Sequence, residues 1–238
     1  MAIATKIPPI YIIIPAFDEE KSIDKVIHAL PQKWITEIIV VNNASKDNTV
    51  EVAKNAGATV LNEFQKGYGA ACLNGIDYVN NLPNVSASSI LVFLDGDFSD
   101  YPEQLPKVVE PIVYENIDLV IGSRRLGKAE KGSLTPQQIF GNWLATFLIR
   151  RIYQHRYTDL GPFRAIKLEA LNKLNMQDRN YGWTVEMQIK ALKQDLKIVE
   201  VPVDYRNRIG ISKVSGTVKG TILAGYKIIK TIIKYAGK

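Results

Sequence analysis

Cysteine is almost absent. Cys72 is the one thiol among 238 residues, which excludes an intramolecular disulfide framework and favours a reducing compartment. Long apolar runs are also missing, and none approaches the ~20 residues a membrane span needs. There is no internal repeat and no low-complexity segment. The opening residues run from Ile10–Ile14 straight into Pro15 and acids, unlike a secretory signal, so a cytoplasmic protein is expected. What is there is globular: 46% apolar and 23% charged residues. A chain of this length suits one large α/β domain that buries its core without staples.

Net charge is +6, from 30 Lys and Arg against 24 Asp and Glu. The acids Asp18, Glu19, Glu20, Asp24, Asp95, Asp97 and Asp100 lie early, whereas the chain is basic from Arg124 onward. This asymmetry suits a polyanionic partner: a nucleotide diphosphate, an anionic lipid surface or nucleic acid. Nucleic acid rests on charge alone and is not expected.

Apolar runs at Ile10–Ile14, Glu37–Val41, Ala58–Asn62, Ile90–Leu94 and Asp118–Ile121 read as short strands, with helical patterns between the first four and from Pro102 to Tyr114. The alternation predicts a mostly parallel, Rossmann-like wound sheet flanked by helices. Leu126–Pro136 has no apolar period and reads as a mobile loop. Ile139–Tyr153 is expected to be a helix, with Trp143, Leu144, Phe147, Leu148 and Ile152 at helical spacing. Strands are expected at Phe163–Ile166 and Lys197–Tyr205, the latter at an edge because Pro202 donates no ladder hydrogen bond.

Ile90–Leu94 ends in Asp95-Gly96-Asp97, with Asp100 and Pro102 following. A buried strand that delivers two carboxylates to its C-terminal tip places acid where open α/β sheets bind ligands. Grouped hard oxygens suit Mg²⁺ or Mn²⁺ shared with substrate phosphates; an ordinary polar turn is the competing reading. Lys66, Gly67 and Gly69 form either a loop over a phosphate or sugar, or a tight turn. Plotted at about 100° per residue, Lys219–Lys238 puts lysines on one face and isoleucines and tyrosines on the other. That pattern fits an interfacial helix or a helix packed on the domain.

Taken in order, Ile12-Ile13-Ile14-Pro15-Ala16-Phe17-Asp18-Glu19, Val40–Thr49, Lys66–Ala71 and Asp95-Gly96-Asp97 resemble the family 2 glycosyltransferases of GT-A fold. Gly122-Ser123-Arg124, Thr158–Arg164, Glu186-Met187 and Val201–Lys213 resemble the dolichol- and polyprenyl-phosphate hexosyltransferase branch. The resemblance implies an inverting transfer of a hexose from a UDP- or GDP-linked donor to a lipid phosphate, assisted by Mg²⁺ or Mn²⁺. It places Pro15, Ala16, Phe17, Glu19 and Asn43 in the base and ribose pocket, beside Lys66 and Gly67. It makes Asp97, with Asp95, the metal end. It has Arg124, Arg206 and Lys213 clamp phosphate. Asp159 is the candidate for orienting or deprotonating the acceptor, Glu186 a second catalytic candidate, and Arg164 an acceptor contact.

Three departures stand out. Asn42 and Asn43 are amides where the family often has an acid, so UDP and GDP both remain open. Ser99 stands where the family often has Gln. Gly161-Pro162 replaces a Ser-Gly pair typical of the branch. The expected organisation is a catalytic domain over 1–216, with a nucleotide half (1–123) and an acceptor half (124–216), followed by a basic amphipathic helix over 217–238. A peripheral place on the cytoplasmic membrane face follows from that helix, and a homo-oligomer stays open. The rivals are transfer to a sugar or diacylglycerol hydroxyl, and a non-catalytic sugar-nucleotide-binding protein.

Overall fold

The computed structural model describes residues 7–83, 85–210 and 218–236, with side chains from 223 onward in the last stretch. Lys213 lies outside the described residues. In chain order the elements are β1 (Ile10–Ala16), α1 (Ile23–Ala29), β2 (Glu37–Asn42), α2 (Thr49–Asn55) and β3 (Thr59–Asn62). Then come α3 (Tyr68–Asn80), β4 (Ile90–Phe93), α4 (Leu105–Glu115), β5 (Leu119–Ser123) and α5 (Pro136–Tyr153). The chain continues through β6 (Arg164–Lys167), α6 (Leu168–Leu174), α7 (Trp183–Lys193), β7 (Ile198–Pro202) and α8 (Val218–Lys234).

The strands form one sheet in the order β3-β2-β1-β4-β6-β5-β7. All neighbours are parallel except β6, which runs against both β4 and β5. Alternate residues of the central strands feed opposite layers. Ile13, Ile39, Leu91, Phe93 and Ile121 pack toward α3, α6 and α7; Ile12, Ile14, Val40, Val92 and Val120 pack toward α1 and α4. Burial on both faces is why these strands read as continuous apolar runs. From β1 the chain first winds outward through β2 and β3, then returns to β4 on the other side of β1. The crevice at that reversal, outside the carboxyl ends of β1 and β4, is where wound sheets bind ligands.

Pro202 closes β7 at the sheet edge, as its missing N–H requires. Two expectations change. The run Asp18–Ser22 reads in sequence as the opening of a helix reaching about Leu30, but the helix starts at Ile23, because Asp18 adopts a left-handed φ of 53° and its carboxylate accepts the Lys46 N–H. The stretch after Leu126 is no mobile loop: Glu130 N–H bonds Tyr205 O, Tyr205 N–H bonds Lys128 O, and Asp204 accepts from Lys128 N–H. With no apolar period of its own, this segment is held by backbone pairing that the sequence pattern does not reveal. α5 then opens on a capping box of Thr135 and Gln138, with Pro136 in its first turn.

Candidate active site

Two cavities meet at the tip of β4. The first, about 300 Å³, takes Pro15, Ala16, Phe17 and Glu19 from the end of β1, Asn43 from β2, and Lys66, Gly67 and Tyr68 from the start of α3. Asp95, Gly96 and Asp97 form its inner end, with Asn180, Tyr181 and Arg208 opposite. The second, about 350 Å³, shares Tyr68, Asp95, Asp97, Tyr181 and Arg208, and adds Arg124, Tyr205 and an apolar wall containing Leu160, Pro162 and Ile228. The structure therefore brings the expected donor residues together around the aspartate pair, except Arg206 and the undescribed Lys213.

Asn42 and Asn43 do different work. Asn42 bonds Asn62 and accepts from Ser45 N–H, so it is structural. Asn43 lines the cavity while its amide donates to Glu63 O and Gln65 O and its oxygen takes the Gly67 N–H. Gly67 and Gly69 are required by close approach. A Cβ on either would collide with backbone carbonyls of Asp178 or Arg179, and Ala70 N–H bonds Arg179 O at 2.9 Å. The glycine turn thus carries the segment that presents Asn180 and Tyr181.

The acids at the β4 tip are crowded. Asp97 and Asp100 are buried, with Asp95 half-buried beside them. Burial, then repulsion from Asp97, pushes the Asp95 carboxyl up to about 7. Burial, then repulsion from Asp95 and Asp97, raises Asp100 well above the usual range. Oδ1 of Asp95 and Oδ1 of Asp100 are buried with no hydrogen-bond partner. Ser99 donates both its N–H and its hydroxyl to Asp97 Oδ1, and Arg208 reaches Asp97 Oδ2 and Glu19 Oε1, each at 3.1 Å.

These orphaned, mutually repelling oxygens fit a divalent cation. Among the described residues no three acidic, imidazole or thiol groups converge on one point. The chain would thus offer one or two carboxylates, leaving other positions to substrate phosphates and water, the usual Mg²⁺ arrangement.

Arg206, expected as a phosphate clamp, lines neither cavity. Its guanidinium is sandwiched on Phe98 (3.8 Å) and Tyr101 (3.9 Å) and bonds Asp100 O. Arg208, two residues on, is the cation that faces both cavities. As sequence, the two arginines read as one basic cluster, and two apart on a regular extended chain they would share a face. The separation comes instead from their partners, Phe98 and Tyr101 for Arg206 and Asp97 and Glu19 for Arg208.

Three further expectations shift. Asp159 is buried and gives both oxygens to Arg124, at 2.8 Å to Nε and 2.7 Å to Nη2. Burial works to raise its pKa, but the guanidinium more than cancels that and holds it below the usual carboxylate range. Asp159 is therefore a holder of Arg124, whose own pKa is lifted by that partner against the opposing effect of burial. Arg164 is fully buried and donates to the carbonyls of Leu160, Gly161 and Thr184, so it ties the 160–161 turn to α7 and lines neither of the two cavities. Glu186 is likewise fully buried. It accepts from the N–H groups of Gln177 and Asp178, from Tyr235 OH at 2.6 Å and from Lys190 at 2.8 Å. It fixes the segment before Asn180 and Tyr181 and lines neither cavity. Tyr68, Tyr181 and Tyr205 were missed, since an isolated tyrosine next to a turn carries no sequence signal of its own.

A parallel sheet with an acid pair at its switch point and one antiparallel strand beyond it is the layout of a GT-A glycosyltransferase. The chain belongs to glycosyl transferase family 2, whose model matches residues 11–174, and it is a glycosyltransferase. It is 30% identical over 215 residues to a Methanococcus voltae protein named UDP-N-acetylglucosamine–dolichyl-phosphate N-acetylglucosaminyltransferase, covering 82% of this chain and 84% of that one. It is 28% identical over 223 residues to a Micrococcus luteus undecaprenyl-phosphate mannosyltransferase, covering 87% of this chain and 88% of that one. A glucosyl-3-phosphoglycerate synthase of Mycobacterium tuberculosis, crystallised with Mn²⁺, UDP and phosphoglyceric acid, superposes with a TM-score of 0.77. That match covers 97% of this chain and 79% of the other at 22% identity, and speaks for the fold.

Proposed function

We propose that this enzyme transfers a hexose, with inversion, from a UDP- or GDP-linked donor to a polyprenyl or dolichyl phosphate, with Mg²⁺ or Mn²⁺ as cofactor. The observation that carries the reading is the second cavity: a guanidinium, Arg124, faces an apolar wall beside the aspartates that close the first. An acceptor with a phosphate head and an apolar chain matches that combination. The likeness to the two lipid-phosphate transferases supports it.

The donor lies in the first cavity, its base and ribose along Pro15–Phe17, Glu19 and Asn43, with Lys66 and Gly67 beside it. Its diphosphate lies toward Asp95, Asp97 and Arg208. Asp97, with Asp95, would hold the metal, which when bound would supply positive charge to offset that of the departing diphosphate. Arg208 leaves its carboxylate partners for the diphosphate, where a planar guanidinium matches oxygen pairs. Arg124, held in place by Asp159, aims the acceptor phosphate at the anomeric carbon. A phosphate oxygen is already anionic at neutral pH and needs no base. A hydroxyl acceptor would need a carboxylate in reach, and among the described residues of the second cavity the only carboxylates are Asp95 and Asp97. The nucleotide half (1–123) and acceptor half (124–216) remain part of this reading, although Asn180, Tyr181 and Arg208 cross over to the donor cavity.

Incubation with labelled UDP-glucose, UDP-N-acetylglucosamine and GDP-mannose, each with polyprenyl phosphate and Mg²⁺ or Mn²⁺, tests the reading. Label entering the organic phase with one donor, and not after chelation, is the expected result. No transfer from any donor would overturn it.

A further inference from the structure

Helix α5 does not behave as its apolar period suggests. Ala145 and Ile149 are its only buried residues, and Leu144 and Leu148 are partly covered. Phe140 (60%), Trp143 (55%) and Phe147 (41%) are exposed, spaced three and four residues apart on one face. Their rings form a row, with centroids 5.8 Å apart between Phe140 and Trp143 and 5.7 Å between Trp143 and Phe147. Ile139 and Ile152 are exposed as well. Such a run of large apolar side chains in water is what marks an interaction surface.

The neighbouring helix α8 repeats the pattern. Its inner face, with Ile228, Thr231 and Ile232, packs on the domain together with Tyr235 just beyond it, and Tyr153 OH of α5 bonds Ile232 O at 2.6 Å. Its outer side still exposes Leu223, Tyr226 and Ile233. The amphipathic tail therefore packs on the domain and keeps a second apolar strip outward.

Charge identifies the occupant. Neither helix contains an acid, in a protein with 24 of them. α5 ends in Arg150 and Arg151, and α8 carries Lys219, Lys227, Lys230 and Lys234. Lys227 is paired with Asp178, while Arg150, Arg151, Lys230 and Lys234 are exposed. Aromatic and aliphatic side chains bordered by cations, with no acid among them, match the boundary between acyl chains and anionic head groups. No described helix is long and apolar enough to cross a membrane, so such contact lies in the interface.

The second cavity fixes where this surface leads. Its wall includes Gln138, Gly141 and Asn142 of α5 and Ala224, Gly225 and Ile228 of α8. We propose that the paired outer faces of α5 and α8, with Trp143 and Phe147 as the inserting residues, dock on an anionic bilayer. The gap between the two helices then admits the head of a membrane-embedded acceptor directly from the lipid phase. The docking surface stands on its own observations; the entry route rests on the acceptor reading above.

The test is flotation of the full chain with phosphatidylcholine vesicles with and without phosphatidylglycerol, paired with tryptophan fluorescence. Trp183 is buried and Trp34 half-buried, so a blue shift on binding would come from Trp143 and should vanish in Trp143→Phe. Flotation should require the anionic lipid. It should fall roughly tenfold or more in W143S/F147S and become insensitive to anionic lipid in K230E/K234E. Neither Trp143 nor Phe147 lines a cavity, so W143S/F147S should keep wild-type turnover on a short-chain, water-soluble prenyl phosphate. Absent flotation, unchanged flotation of W143S/F147S, or a lipid-free dimer that this variant breaks would overturn the proposal, the last by giving the face to a second copy. Docking without transfer to any prenyl phosphate would leave the surface standing and remove the acceptor reading.

Discussion

Asp95, Asp97 and Asp100 crowd one turn, with Arg208 on Asp97 as a cation already in place. Stability should follow from that crowding. Asp95 has a folded pKa of about 7, against roughly 3.9 for a free aspartate. A raised carboxyl contributes stability that is full below the unfolded value and lost as pH rises through the folded one. The metal-free protein should therefore lose Tm between pH 5 and 8 from this group, and Mn²⁺ should restore more Tm at pH 8 than at pH 5. Thermal melts across that range check it, and equal metal stabilisation at both ends would contradict it. Asp97→Ala removes a like charge as well as the proposed metal ligand. It should keep or raise Tm while lowering kcat by on the order of 10²–10³, the scale of losing one electrostatic stabiliser. Normal turnover would refute its role. Arg208→Ala should weaken donor binding by about tenfold or more, as expected for a charged hydrogen bond. Arg206→Ala should leave donor affinity nearly unchanged and lower Tm through lost stacking on Phe98 and Tyr101; calorimetry with UDP and GDP separates the two.

The element that links the ends of the molecule is the segment before α7. Glu186 collects two backbone N–H groups, the Tyr235 hydroxyl from beyond α8 and Lys190, and so sets where Asn180 and Tyr181 stand. Tyr235→Phe should cost about 1–2 kcal/mol in chemical denaturation and raise donor KM more than acceptor KM. Equal changes in both would argue for a general loosening. This linkage could not be read in the sequence, where Glu186 is a polar residue on an apolar helix and Tyr235 lies far along the chain. The strands were legible, because a sheet buried on both faces must write apolar runs. The antiparallel course of β6 was not, since strand direction depends on where α5 returns the chain. The aspartate turn was legible for the same reason the strand was: an apolar run broken by acids marks a strand tip. Asp159 misled because sequence shows a carboxylate but not the arginine that occupies both its oxygens. The α5 aromatics misled because helical spacing reveals a face but not what covers it.

At the scale of the molecule, one crevice at the sheet's switch point serves two cavities that share Asp95, Asp97, Tyr68, Tyr181 and Arg208. Donor residues come mainly from β1, β2 and the start of α3. The acceptor wall comes from α5, the 158–164 turn and α8, whose outer faces form the proposed bilayer surface. In this account the acceptor wall and the proposed bilayer contact are the inner and outer sides of the same two helices. The account stands on a phosphate-bearing acceptor that needs no general base and is held by Arg124. The most direct test compares transfer to a prenyl phosphate and to the matched prenyl alcohol, for wild type and Arg124→Ala. The account predicts sugar on the phosphate only, with kcat/KM for that acceptor falling roughly 10–100-fold in Arg124→Ala while donor affinity holds. Transfer to the alcohol at a comparable rate, or an Arg124→Ala enzyme as fast as wild type, would contradict it.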